Sequence, residues 1–187
     1  MLIGFSVGNH RSFKDITTLS LIDESGKSGS KALLFGANNS GKTNFLRAIE
    51  AMSSIVLFGR SCWLPFRMDK ECANEPSFFE IVILAESGDR IKYGFEIGRD
   101  RVESEWLVHY EGSDDMDTPV VLFERGQSEI DRHANIWEGE LLLNSRTIPQ
   151  ANTIREFFDS IYIVALSANK NQIDGKILDF VNNDSGL

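Results

Sequence analysis

One octapeptide constrains this 187-residue chain more than any other feature. Residues 36–43 read GANNSGKT and fit the pattern G-x-x-x-x-G-K-[ST] at every fixed position. Gly36 and Gly41 allow backbone angles and close approaches that a Cβ would forbid. The N–H groups of such a loop, at the start of a helix, can converge on a phosphate. The pattern therefore predicts a phosphate-binding loop, which requires a strand before it and a helix after it.

The sequence on both sides of the octapeptide meets that requirement. Residues 31–35 form a short apolar run that predicts a strand. After Thr43, apolar residues fall at helical intervals and predict a helix of about four turns. Its predicted buried face consists of Phe45, Ile49, Met52 and Val56. In such a loop Lys42 supplies a charge for the β and γ oxygens of a nucleotide, and the Thr43 hydroxyl is a ligand for Mg²⁺.

The rest of the chain predicts strands and one more helix. Residues 2–7 and 15–22 read as strands, and residues 161–166 read as a buried strand. Residues 77–125 have a period of two and predict an antiparallel meander with one solvent-exposed side. In its third strand the predicted shared face is Val102, Trp106, Val108 and Tyr110. A helix is predicted after residue 147, with Pro149 near its first turn.

Composition excludes several other classes of protein. The net charge of −9 makes the chain as a whole a poor electrostatic match to nucleic acid, although it does not decide direct DNA contact. No apolar run approaches the ~20 residues of a membrane span. Cys62 and Cys72 cannot make a four-ligand zinc site alone. We therefore expect a cytoplasmic protein with two ordinary thiols and no membrane partner.

Several segments of the chain resemble, in the same order, segments of a known family. The stretches FSVGNHRSFKDITTLSL and FGANNSGKTNFLRAI resemble the start of an ABC-type ATPase of the SMC and OLD group. Within that group the chain is most similar to small prokaryotic ATPases of the AAA_15/AAA_21, OLD-like kind, many of which occur in phage-defence systems. PSFFEIVIL, RIKYGFEIGRDRVESEWLVHY and VLFER follow the order of that family's antiparallel insert. The resemblance covers most of residues 1–165. It implies an α/β P-loop NTPase fold of the ABC/SMC type, whose N-terminal lobe has a mixed sheet and an antiparallel β side sheet.

The resemblance also implies ATP and Mg²⁺ as cofactors, and it assigns the residues of the site. The family's loop residues match Gly36, Asn38, Asn39, Ser40, Gly41, Lys42, Thr43 and the adjoining Asn44. The family's NFRSF motif reads NHRSF here, which places Arg11 and Ser12 near the nucleotide and puts His10 where relatives have an aromatic residue. The family's Q-loop glutamine corresponds to Asn144, a weaker candidate for the Mg²⁺ site that would follow an apolar strand. No catalytic residue is assigned.

Members of this family also use a Walker B strand followed by Asp-Glu, an LSGG-like signature and a switch histidine. The stretch IYIVALSAN offers the apolar strand without the acids, and LSGG does not occur. We therefore expect residues 1–187 to be one incomplete ATPase domain. It would comprise strands, loop and first helix in 1–60, the meander in 77–125, and a helix, a strand and a tail in 140–187. Nucleotide binding with little hydrolysis is expected. The expected partners are a second lobe or a homodimer partner, and a nuclease or another effector protein.

Two other functions are compatible with the sequence. The first is a protein-interaction fragment with a vestigial nucleotide site, because the acidic balance mildly favours protein partners. The second is a P-loop kinase or GTPase. Asn169-Lys170-Asn171-Gln172 begins like the NKxD motif of small GTPases, but Gln172 replaces the aspartate that would pair with guanine.

Overall fold

The computed structural model describes residues 1–22, 31–34, 41–59, 63–99, 101–111, 119–126, 141–161 and 176–179. The elements in chain order are β1 (Leu2–Gly8), β2 (Thr17–Ser20), β3 (Lys31–Leu34), α1 (Lys42–Phe58), β4 (Ser77–Leu84), β5 (Arg90–Ile97), β6 (Val102–Tyr110), β7 (Val120–Arg125), α2 (Leu142–Ser145), α3 (Pro149–Ser160) and β8 (Lys176–Asp179). A single 3-10 turn spans Cys72–Asn74. The predicted strands before the loop, the helix after it, the meander and the helix that starts at Pro149 are confirmed. The strand predicted at 161–166 lies almost wholly outside the described residues.

Six strands form one antiparallel sheet in the order β2-β1-β4-β5-β6-β7. β1 pairs with β2 along one edge and with β4 along the other, from Leu2 opposite Ile83 to Gly8 opposite Phe78. β1 thereby joins the first two strands and the meander in one antiparallel sheet. β3 pairs antiparallel with β8, a strand that the sequence analysis does not predict. All strand pairs within the described ranges are antiparallel, so the expected mixed sheet is not found there.

The core lies between one face of the six-stranded sheet and the helices α1 and α3. The predicted face of α1 is buried throughout, and α3 buries Ala151, Ile154 and Phe158. On β5 the alternation is strict, so that every second side chain points into this layer: Ile91, Tyr93, Phe95 and Ile97. Burial of each large apolar side chain stabilises the fold by roughly 1.5–3 kcal/mol. The packing of α1 against the sheet thereby fixes the position of the first residue of α1 relative to the end of β1.

Strand β6 departs from the predicted alternation. Val102 is buried as predicted, but the next buried side chains are Glu105 and Leu107. The register between β5 and β6 shifts between Glu96 and Ile97, and this irregularity reverses the alternation along β6. The prediction for Trp106, Val108 and Tyr110 is therefore wrong, and these residues lie on the opposite face.

Trp106 lies across a glycine on that opposite face. Its Nε1 donates a hydrogen bond to Glu80 at 3.1 Å, and its ring covers Gly94. A Cβ on Gly94 would lie 2.3 Å from the ring and 2.8 Å from the carbonyl oxygen of Phe79. Only glycine fits this position, because both neighbours are held within the sheet.

Candidate functional site

Helix α1 begins with a geometry that suits an anion. Gly41 precedes the helix with φ of 93°, in the left-handed region that glycine adopts without strain. Gly41 has no side chain to cap the first turn, and no acidic residue lies in that turn. The helix is 17 residues long, and the N–H of Phe45 donates to the carbonyl of Gly41 at 2.9 Å. The positive end of a helix without a side-chain cap fits a phosphate group. Lys42 and Thr43 lie in this first turn.

The turn between β1 and β2, residues 9–16, packs against this end of α1. Asn44 Nδ2 donates a hydrogen bond to Ser12 Oγ at 2.9 Å. The rings of Phe13 and Phe45 meet edge to face, with their centroids 6.0 Å apart. A Cβ on Gly41 would lie 3.4 Å from Ser12 Oγ. The structure thus brings together three predicted site residues, Ser12, Gly41 and Asn44.

Arg11, another predicted site residue, is the neighbour of Ser12 and has an uncommon backbone conformation. Its φ is 52°, which is rare for a residue with a long side chain. Its N–H donates to the carbonyl of Leu64 at 2.7 Å. Its Nε is buried and has no hydrogen-bond partner among the described residues. Arg11 thus lies in the turn whose next residue, Ser12, contacts the first turn of α1, which is compatible with its predicted role near an anion.

Asn9, the first residue of the NHRSF motif, holds the turn in place, a role that the sequence analysis does not assign to it. Its Nδ2 donates towards the carbonyls of Cys72, Glu75 and Pro76 at 2.8, 2.9 and 3.1 Å. Its Oδ1 accepts from the N–H of Phe66 at 3.0 Å. Its φ of 42° lies in the left-handed region that asparagine tolerates better than most residues. An asparagine at the first turn position after a strand was the available signal.

His10 fills the position at which relatives have an aromatic residue. The side chain is fully buried, and its ring lies 5.0 Å from that of Phe79. Burial, and to a smaller extent the charge of Arg11, lower the pKa of His10 to about 4. The ring is therefore neutral near pH 7. Neither ring nitrogen has a hydrogen-bond partner within the described part of the chain.

A second buried polar cluster lies between the sheet and α2. Glu105 Oε1 accepts from Tyr93 Oη at 3.0 Å and from the N–H of Leu143 at 2.9 Å. Its Oε2 accepts from Arg125 Nε at 3.0 Å and from the N–H of Leu142 at 2.6 Å. Burial raises the pKa of Glu105, and Arg125 and the two amides oppose that rise. Burial also raises the pKa of Tyr93 well above its ordinary value. The cluster attaches the start of α2 to the sheet.

Asn144, the predicted second Mg²⁺ residue, is exposed within α2. The expected position at the end of a strand is wrong, because Glu105 binds the amides of Leu142 and Leu143 and starts a helical turn there. The role of Asn144 toward Mg²⁺ remains a prediction. No group of three or more His, Cys, Asp or Glu side chains in the described ranges could hold a metal ion.

The remaining predicted loop residues, Gly36, Asn38, Asn39 and Ser40, lie outside the described residues, as do Asn169, Lys170, Asn171 and Gln172. Among the helices that the structure describes, none has the length and apolar character needed to cross a membrane.

A phosphate-loop protein is defined by a strand, a glycine-containing loop sequence and a helix start without a side-chain cap. This chain has these three features beside one α/β layer. The comparison with protein families agrees with this class. A family model described as "AAA domain, putative AbiEii toxin, Type IV TA system" matches residues 31–168, which is more than half of the chain. The chain belongs to this family, AAA_21, and it is an AAA-like P-loop ATPase domain. No curated protein and no solved structure matches the chain.

Proposed function

We propose that this chain binds ATP with Mg²⁺ at residues 36–43, as the N-terminal part of an OLD/SMC-like ATPase, with little hydrolysis by itself. The observation that carries the proposal is the start of α1. The helix begins at Lys42, directly after a left-handed Gly41, within a complete G-x-x-x-x-G-K-[ST] pattern. Strand β3 ends at Leu34, two residues before Gly36, so the required order of strand, loop and helix is present.

Each residue of the helix start has a separate task in this proposal. Lys42 neutralises charge on the β and γ oxygens, and the N–H groups of the first turn bind phosphate oxygens. Thr43 provides a hydroxyl ligand for Mg²⁺, which when bound neutralises charge that develops on the phosphates. Ser12 supports the helix start through Asn44. Arg11 adds a second positive charge beside the site.

The setting that we propose is a prokaryotic phage-defence or DNA-repair system. This part of the proposal rests on the resemblance to OLD and SMC ATPases, and the family description, which refers to a toxin of a Type IV TA system, is compatible with it. A second lobe, or a second copy of the chain, would supply the residues for hydrolysis. A nuclease or another effector protein would respond to nucleotide binding.

Thermal unfolding with and without millimolar ATP and Mg²⁺ tests the binding. A ligand at a hundred times its Kd stabilises the folded state by about 2.7 kcal/mol. For a domain of this size we expect a Tm increase of about 5–10 °C, since each kcal/mol adds about 2–4 °C. Lys42→Ala should abolish the increase. The matched control is Arg47→Ala, which removes a positive charge from the exposed side of α1 and should keep it.

The outcomes separate the proposal from its alternative. If ATP shifts the Tm of neither the wild type nor the control, the binding proposal is wrong, and a protein-interaction fragment with a vestigial nucleotide site becomes the better account. If Lys42→Ala and the wild type shift equally, ATP binds elsewhere on the chain. Steady hydrolysis by the wild type that Lys42→Ala abolishes would contradict the expected lack of turnover.

A further inference from the structure

We propose that Asn9 is a positioning residue that couples the nucleotide site to residues 63–76. The inference rests on the proposed function. It adds that residues 63–76, a segment of the surface, respond to nucleotide binding. Residues 63–76 follow α1 in the chain and contain the 3-10 turn Cys72–Asn74. They contact the β1–β2 turn through Asn9 and Arg11.

The side chain of Asn9 makes the contacts on one side of this connection. Three carbonyl oxygens, those of Cys72, Glu75 and Pro76, lie within 3.1 Å of Asn9 Nδ2. The N–H of Phe66 donates to Oδ1 at 3.0 Å. One amide side chain therefore binds both the beginning and the end of the segment, and the geometry of the turn and that of the segment are fixed together.

The same turn makes one further contact with residues 63–76 and one contact with the start of α1. Two residues after Asn9, the N–H of Arg11 donates to the carbonyl of Leu64 at 2.7 Å. One residue further, Ser12 accepts the hydrogen bond from Asn44 in the first turn of α1. The hydrogen bond at Ser12 and those at Asn9 and Arg11, joined by the backbone of the turn, thus connect the helix start to residues 63–76.

The segment presents a surface on which the coupling can be detected. The Met68 side chain is 91% exposed, and its neighbour Arg67 is exposed as well. A nucleotide that orders the start of α1 stabilises every element that depends on the turn for its position. We therefore expect nucleotide binding to reduce local opening of residues 63–76, although no predicted phosphate contact lies in that segment.

Hydrogen exchange of the full chain, with and without ATP and Mg²⁺, tests the coupling. In the wild type, nucleotide should slow amide exchange at the start of α1 and also, by about three- to tenfold, within residues 63–76. Asn9→Gly removes the side-chain contacts but keeps the left-handed backbone accessible, since Asn9 has φ of 42°. In Asn9→Gly the protection at α1 should persist and the protection at 63–76 should disappear.

Two further variants distinguish loss of the coupling from a general loss of structure. Asn44→Ala breaks the link at the helix end without touching residues 63–76, and it should also reduce their nucleotide-dependent protection. Lys14→Ala is the matched control, because it removes an exposed ion pair between the same turn and Asp69. Its nucleotide-dependent protection should equal that of the wild type.

The possible failures are distinguishable. If nucleotide protects α1 in the wild type while exchange at 63–76 does not change, the coupling is wrong and the proposed binding function stands. If Asn9→Gly retains full protection at 63–76, Asn9 does not carry the coupling. If nucleotide protects neither region and the Tm does not shift, the proposed function itself fails, and the inference fails with it.

Discussion

Two polar clusters in this protein differ in how completely their buried groups are paired. The Glu105 cluster, formed by Glu105, Tyr93, Arg125 and the amides of Leu142 and Leu143, gives each carboxylate oxygen at least two donors. The turn cluster, formed by residues 9–12 and Gly41, contains three buried nitrogens without a described partner: His10 Nδ1, His10 Nε2 and Arg11 Nε. It also contains three left-handed residues, Asn9, Arg11 and Gly41.

We interpret this difference as one between a structural role and a proposed functional role. Buried polar groups in stable cores are almost always paired, so the Glu105 cluster needs no explanation beyond attachment of α2 to the sheet. Unpaired groups and uncommon backbone angles concentrate at functional sites, where the surrounding structure holds them. The turn cluster is the one that lies against the start of α1. The contrast therefore supports placement of the functional site at this end of the sheet.

The largest expected effect tests the structural cluster. Glu105→Ala removes a fully buried carboxylate that accepts hydrogen bonds from Tyr93, Arg125 and the amides of Leu142 and Leu143. Loss of one partner of a buried ion pair costs about 3–5 kcal/mol, and chemical denaturation should show a decrease of this size in the free energy of unfolding. Arg125→Met should cost less, since Glu105 retains its other donors. A loss below about 1 kcal/mol for Glu105→Ala would contradict the structural role.

The next effect concerns pH and the turn cluster. The pKa of His10 is lowered to about 4 in the folded protein, against an ordinary value of 6.5. The unfolded chain therefore binds a proton at His10 more readily than the folded protein does. The stability that the neutral imidazole contributes is complete above pH 6.5 and is lost as the pH falls to about 4. The loss amounts to about 3 kcal/mol, because each pKa unit corresponds to 1.36 kcal/mol. Denaturation curves between these pH values should show it.

His10→Phe is the variant that isolates this effect. It keeps a buried aromatic ring against Phe79 and removes the two nitrogens that have no partner among the described residues. We expect a higher Tm than that of the wild type near pH 7, since apolar replacement of unpaired buried polar atoms is neutral or stabilising. The acid-dependent loss attributed to His10 should disappear. An identical acid response in both proteins would show that His10 is not the titrating group.

The smallest expected effect concerns the hydrogen bond between Ser12 and Asn44 at the start of α1. Ser12→Ala removes the acceptor of the hydrogen bond from Asn44 and should cost about 0.5–1.5 kcal/mol of stability. Thr18→Ala removes a similar bond, between Thr18 Oγ1 and Ser6 Oγ at 2.9 Å, away from α1. Both variants should lower the Tm slightly. Only Ser12→Ala should also weaken ATP binding in a titration, and equal affinities for the two variants would contradict a role of Ser12 at the site.

The sequence alone predicted the elements with clear periodicity, and the site residues assigned from a fixed pattern stay a prediction. β5 alternates without interruption and α1 has a regular apolar face, so both followed from spacing. The face of Trp106 could not be predicted, because the bulge opposite Glu96 is a property of strand pairing. The role of Asn9 was missed for a similar reason, since its hydrogen-bond partners lie more than 55 residues further along the chain. The helical turn at Asn144 depends on Glu105, a residue from a distant strand.

Calorimetric titration of ATP with Mg²⁺ into the wild type and Lys42→Ala tests the central claim most directly. We expect one saturable site in the wild type. Loss of one charge-assisted hydrogen bond, about 1.5–3 kcal/mol, should weaken binding about 10- to 150-fold in Lys42→Ala. Arg47→Ala should bind as the wild type does. Equal affinity of the wild type and Lys42→Ala, or no binding heat in the wild type, would contradict a nucleotide site at the start of α1.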